Sequence, residues 1–301
     1  QMYTARCSGV HIDTDVKRNQ GHYPTKHIGE ADASGNYLVI DIAGGPNAAT
    51  YPVSHLKGIP AGDWTDEYKK TKLVLQRIPA GDDPLGRYTL TKDFYAGIFE
   101  VTQQQWIQVM GSNPSNTKYG DTADCPVQCV SYNDIRGSNL GSQWPTNSEV
   151  DAWSFIGKLR LKTGIVTLDL PTDAQNMHVV PAHDQDYLGD DIADLDVAGW
   201  YYDNSTNNTL HLWTPHPVGL KIPNAFNLYD MHGNVWEWCL ASTMMDIDPI
   251  GEILEKHGEK YGRFLGGGCN RANACTSHGC DRNLQTFRRF DLGFRLFMTM
   301  P

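Results

Sequence analysis

The stretch that most constrains this chain is "NLYDMHGNVWEWC", residues 227–239. Gly233 permits a tight turn or a positive φ that other residues avoid. Asn234 can bond its own backbone or offer its amide oxygen to a cation. Trp236 and Trp238 alternate, so on a strand they share one face and Glu237 points to the other. Tryptophans placed this way belong in a core. A carboxylate held between them must be satisfied by nearby donors or serve as a ligand, because burying it bare is costly.

A core large enough for that motif needs a folded domain, and the composition supplies one. The chain has 301 residues, 40% hydrophobic and 20% charged, which fits a globular protein of one large domain or one domain with an appendage. A net charge of −10 argues against a general nucleic-acid or anionic-membrane binder, since both need a positive surface. No apolar run reaches the roughly 18 residues of a membrane span, and no n-region or h-region of a secretory leader is visible from Gln1 onward. Seven cysteines (Cys7, Cys125, Cys129, Cys239, Cys269, Cys275 and Cys280) cannot all pair within the chain. Cys125-Pro-Val-Gln-Cys129 lacks the second half of a zinc pattern, so the spacing favours at least one disulfide over a structural metal site.

Residues 1–70 are rich in Gly, Pro, Asp and His and hold one strand signal, "NYLVIDIAG" at 36–44, which suggests a small N-terminal extension. "TKLVLQRIPAG" (71–81) reads as a strand entering a turn. "YTLTKDFYAGIFEVT" (88–102) reads as two strands turning at Ala96-Gly97. In "EVTQQQWIQVMG" (100–111), Thr102 is a helix cap, Gln105 completes a capping box and Gly111 ends the helix. Trp106, Val109 and Met110 fall on one face of it. A second helix is expected over 146–164, capped by Asn147 or Ser148, faced by Val150, Trp153, Ile156 and Leu159, and stopped by Gly164. Residues 176–215 show no clear period and read as long loops with short strands.

The segments "IPAG", "FEVTQQQWIQVMGSNPS", "VSYNDI", "LPTDAQ", "PVGLKIPNAFNLYDMHGNVWEWC", "GRFLGGG" and "LGFRL" occur in an order that resembles the formylglycine-generating, sulfatase-modifying enzyme family, over about residues 71–301. The resemblance implies an α+β, C-type-lectin-like fold with few antiparallel strands, two main helices and much irregular chain. It also implies that Asn234 and Glu237 could hold Ca²⁺, an ion suited by oxygen ligands. Trp106, Trp153, Trp236 and Trp238 should be buried.

The enzymes resembled here oxidise a sulfatase cysteine and use a Cys-x4-Cys pair that binds copper(I), which soft thiolates suit. Cys275-Thr-Ser-His-Gly-Cys280 has that spacing and names Cys275 and Cys280 as the catalytic pair under this reading. Three departures oppose it. The non-catalytic pattern A-x-x-C-x-S fits equally well at Ala272, Cys275 and Ser277. "LPTDAQNMHVVPA" puts Asn176 and Val180 where relatives carry a tryptophan and a cysteine. "CTSHGCDR" replaces an arginine-rich surround, and such surrounds orient metal ligands.

Residues 266–296 also resemble the C-terminal segment of diversity-generating-retroelement variable proteins, bacterial or phage proteins that carry a lectin-like domain of this family. Aperiodic polar and aromatic residues lie between frame residues, which reads as a surface loop held at both ends. The favoured function is therefore a ligand-binding or receptor protein. Its expected contact residues are Arg271, Asn273, His278, Asp281, Asn283, Phe287, Arg288 and Phe290, aided by Trp200, Tyr201 and Tyr202. Ala272, Cys275, Gly293 and Phe294 should be buried beneath them. The expected partner is a protein or glycan on another cell or particle, with no nucleic acid and no transmembrane segment. A cell-surface or extracellular location follows. The alternatives are the copper-dependent oxidase and a structural domain without its own ligand.

Overall fold

The computed structural model describes residues 35–83, 86–119, 122–137, 150–180, 192–207, 212–242, 251–252, 254–256, 259–270, 275 and 280–300. Two compact units divide at residue 30, and the first, residues 1–30, lies outside the described residues.

The second unit is built around two larger sheets, of six and five strands. The strands β1 (Tyr37–Asp41), β2 (Val53–Leu56), β3 (Lys72–Ile78), β4 (Phe94–Gly97), β5 (Leu168–Asp169) and the last strand, Phe297–Thr299, form a six-stranded antiparallel sheet. In it the last strand lies between β4 and β5. Period-two alternation sends Leu38, Ile40, Leu73 and Leu75 into one apolar cluster and Tyr37, Val39, Val74 and Ile78 into another. The sheet is therefore buried on both faces. β1 and β2 lie within the first 70 residues, read from the sequence as a separate extension. β2 pairs with β1 and β1 pairs directly with β3, so a boundary at residue 70 would cut this sheet.

The helix α1 (Gln103–Met110) forms as its sequence dictates. The Thr102 hydroxyl accepts from the Gln105 amide at 3.2 Å, the Gln105 carboxamide returns the bond to the Thr102 amide at 2.9 Å, and Gly111 ends the helix at φ 92°. The short helix α2 (Tyr132–Arg136) and α3 (Phe155–Thr163) follow. α3 is shorter than expected. Ser154 caps it, so Trp153 precedes the helix and is 53% exposed rather than buried. Residues 138–149, with the expected caps Asn147 and Ser148, lie outside the described residues. The expected turn at Ala96-Gly97 is also corrected. Both residues lie inside β4, where Ala96 pairs with Gln76 and Phe297.

The opening motif runs through two further sheets. β6 (Gly199–Trp200) and β7 (His232–Gly233) pair in a parallel two-stranded sheet, and β8 (Trp236–Cys239), β9 (Leu254–Lys256), β10 (Glu259–Leu265), β11 (Cys280–Leu284) and β12 (Leu292–Gly293) form a five-stranded one. β8 lies between β10 and β12, and β11 pairs with β10. The last strand of the six-stranded sheet is thus β13 (Phe297–Thr299). The chain is α+β, with α1 and α3 its longest described helices at 8 and 9 residues. Among the described residues no helix is long and apolar enough to cross a membrane.

Candidate functional site

Gly233 sits at φ 96°, and a Cβ there would lie 2.1 Å from the Trp200 carbonyl oxygen and 3.3 Å from Cys275 Sγ. Only glycine fits between β6 and the C-terminal segment. Asn234 follows at φ 59°, a left-handed conformation that Asn tolerates better than most residues. Trp236 and Trp238 then meet Phe264 edge-on, at centroid distances of 5.4 and 5.2 Å, inside the core. The Trp238 indole donates to the Val130 carbonyl at 3.0 Å. Trp106 is buried as well.

Glu237 points to the opposite face and meets Arg295. The guanidinium donates to both carboxylate oxygens at 2.9–3.2 Å, and also to the carbonyls of Gly97 at 2.9 Å and Tyr229 at 2.8 Å. Arg295 therefore ties β8 to β4 across the two sheets. Asn234 Oδ1 accepts from the His216 amide at 2.8 Å, while its Nδ2 donates to Glu100 at 2.7 Å. Glu100 is wholly buried and also accepts from the Val235 amide at 3.1 Å. Burial, reinforced by Asp230 and Glu237, pushes its carboxyl well above the usual carboxylate range. Burial raises Asp230 to about 6.

These bonds bear on the metal reading of Asn234 and Glu237. The Asn234 oxygen and both Glu237 oxygens are already occupied, the latter by a buried guanidinium. A calcium ion on Glu237 would have to displace Arg295, so the two residues as arranged do not fit that ion.

The proposed cysteine pair is likewise divided. Cys275 is buried with Leu195 and Tyr201, its thiol donates to the Gly268 carbonyl at 3.7 Å, and burial pushes it up to about 12. Cys280 is exposed on β11, with Arg263 Nη2 3.9 Å from its sulfur. Copper(I) held between two thiolates needs both sulfurs to face one site, whereas here one thiol is buried and the other exposed. The six described cysteines are free thiols.

In the C-terminal segment, Asp281, Arg282 and Arg288 are exposed and Asn283 is half-buried. Cys275, Gly293 and Phe294 are buried beneath, as the frame requires. Arg271, Ala272, Asn273 and His278 lie outside the described residues. Two expected contact residues are corrected. Phe287 packs against the main core, because its amide bonds the Leu284 carbonyl at 2.8 Å and the turn folds it inward. Phe290 is half-buried because it stacks on Tyr119 at 4.2 Å and 25°. Arg288 is held in place by a two-pronged ion pair with Asp134, at 2.7 and 2.9 Å. Tyr201 is buried, and Trp200 is covered by His216, stacked at 3.7 Å. Tyr202 remains 46% exposed. Tyr119, Asp134 and Arg282 were not foreseen. Nothing in their local sequence marks the first two, because only tertiary packing brings them to the segment.

Residues 45–300 match the family described as the sulfatase-modifying factor enzyme 1-like domain. The chain belongs to this family. Two solved structures share the family's fold. Treponema denticola variable protein 1 aligns at a TM-score of 0.57 with 21% identity, over 76% of this chain and 96% of that one. PvdO from Pseudomonas aeruginosa aligns at 0.55 with 19% identity, over 75% and 94%. By sequence, chaperone protein LppX from Paenibacillus barcinonensis is 28% identical over 175 residues, 49% of this chain. The match spans 61% of that relative's length.

Proposed function

We propose that this protein is a ligand-binding protein whose contact surface is the C-terminal segment 266–296. One observation carries the reading. Between residues 280 and 290, Asp281, Arg282 and Arg288 are exposed and Asn283 and Phe290 half-buried, whereas every residue from 291 to 299 is buried. A rigid base under an irregular polar surface suits recognition. The likeness in fold to a variable protein supports it loosely. The ligand is a protein or glycan met at the cell surface or outside the cell. The oxidase reading retains the Cys-x4-Cys spacing, with Cys275 buried and Cys280 exposed.

The test is a fourfold variant, Asp281→Ala, Asn283→Ala, Arg288→Ala and Phe290→Ala, compared with the parent on glycan and surface-protein arrays. A ligand held by the parent and lost by a folded variant is the expected result. A ligand held equally by both overturns the assignment of this surface. Stoichiometric copper(I) binding that Cys275→Ser abolishes, with aldehyde formation on a sulfatase-derived cysteine peptide, would place the protein among the oxidases instead.

A further inference from the structure

Among the described residues, β11 is an edge strand inside the segment assigned to binding. Among the described strands it pairs only with β10, with Asp281 opposite Phe264 and Asn283 opposite Gly262. The Gln285 amide, one residue past the strand, donates to the Lys260 carbonyl at 3.0 Å, which fixes the direction of every second amide. The amides of Asp281 and Asn283 therefore face β10. Those of Arg282 and Leu284 face outward, where no described strand pairs with β11.

Each outward amide has been given a local substitute. The Arg282 amide donates to Asp281 Oδ1 at 2.8 Å, and the Leu284 amide donates to Asn283 Oδ1 at 2.9 Å. The side-chain oxygens stand where the carbonyls of a neighbouring strand would stand. Such bonds guard an edge against indiscriminate pairing. They also leave it easy to open, because two exposed or half-buried side chains need only rotate into water.

We propose that the outer edge of β11 accepts an extended polypeptide segment of a partner protein as an added strand, with that segment's carbonyls replacing the oxygens of Asp281 and Asn283. The proposal rests on the binding reading above and names its partner class. Two outward donors two residues apart repeat at about 6.8 Å, the period of an extended peptide backbone. That regular main-chain spacing favours a polypeptide over a glycan. Strand addition draws its affinity from main-chain bonds and its selectivity from the flanking side chains. Here those would be Asp281, Arg282 and Asn283.

The experiment uses the full chain and a random linear peptide library displayed on phage, with the selected peptide then made synthetically. Proline is tolerated on an edge strand where its missing donor faces outward. Arg282→Pro and Leu284→Pro therefore each remove one outward donor without touching the bonds to β10. The selected peptide should bind roughly tenfold or more weakly to either variant. N-methylation along the peptide should weaken binding at every second residue. Retained amide protection at Asp281 and Asn283 checks that the ladder survives; if a proline variant does not fold, the N-methyl series decides alone. A library that yields no binder overturns the proposal. So does a peptide indifferent to backbone methylation. If that indifferent peptide, or a glycan, is nevertheless lost on Asp281→Ala with Arg288→Ala, strand addition fails while the binding surface stands. If those side-chain changes also have no effect, both readings fail.

Discussion

Two arginines seven residues apart make the same two-pronged bond to a carboxylate, and their surroundings give those bonds opposite meanings. Arg295 is fully buried against Glu237, while the Arg288 side chain is 53% exposed against Asp134. A buried pair holds the fold because either partner left alone is an uncompensated charge. An exposed pair contributes little to stability and mainly orients a side chain. The boundary between them falls at Asp291, where frame gives way to surface. Arg289 straddles it, bonded to Asp291 and lying over the rings of Trp236 and Phe264.

The sharpest way to break this comparison is to remove each arginine in turn. Arg295→Met should cost about 3–5 kcal/mol, because Glu237 would remain buried beside Glu100 and Asp230. Arg288→Met should cost about 0–1 kcal/mol. Urea unfolding of both variants checks the contrast, and similar midpoints would erase it.

The tryptophans offer the same division. Trp236→Ala should cost on the order of 3–5 kcal/mol, whereas Trp153→Ala should stay within about 0.5 kcal/mol because its ring is already exposed. A Trp236→Ala urea midpoint no lower than that of Trp153→Ala would contradict the first half.

A smaller effect concerns pH. Asp230 is raised in the folded state from 3.8 to about 6, so the folded protein binds its proton more tightly than the unfolded chain does. That contribution is fully present below about 4 and is lost as pH rises through about 6. Asp230→Asn should therefore flatten the fall in stability between about pH 4 and 6, measured as the urea midpoint across a pH series. An unchanged slope would mean that Asp230 does not carry it.

The smallest effect belongs to the surface. The fourfold variant at Asp281, Asn283, Arg288 and Phe290 should shift the thermal midpoint by only a few degrees. Phe290 is the residue most able to spoil this, since its stack on Tyr119 links the segment to the scaffold.

Local chemistry alone was enough to read α1. Thr102, Gln105 and Gly111 act within a few residues of one another, and the structure reproduces each bond. The alternation of Trp236, Glu237 and Trp238 likewise determined which side chains share a face. The sequence could not say what lies across from them. Glu237 and Asn234 read as ligands for a cation because their oxygens suit one, yet Arg295, 58 residues away, and His216 occupy those oxygens. Cys275 and Cys280 have the spacing of a metal pair, but burial separates their chemistry. Trp153 fits a helical stripe until Ser154 starts the helix one residue too late. Capping, periodicity and turn preference are short-range and are written in neighbouring residues. Partner choice, burial and the edge position of β11 depend on contacts between distant segments, and only the tertiary structure decided those.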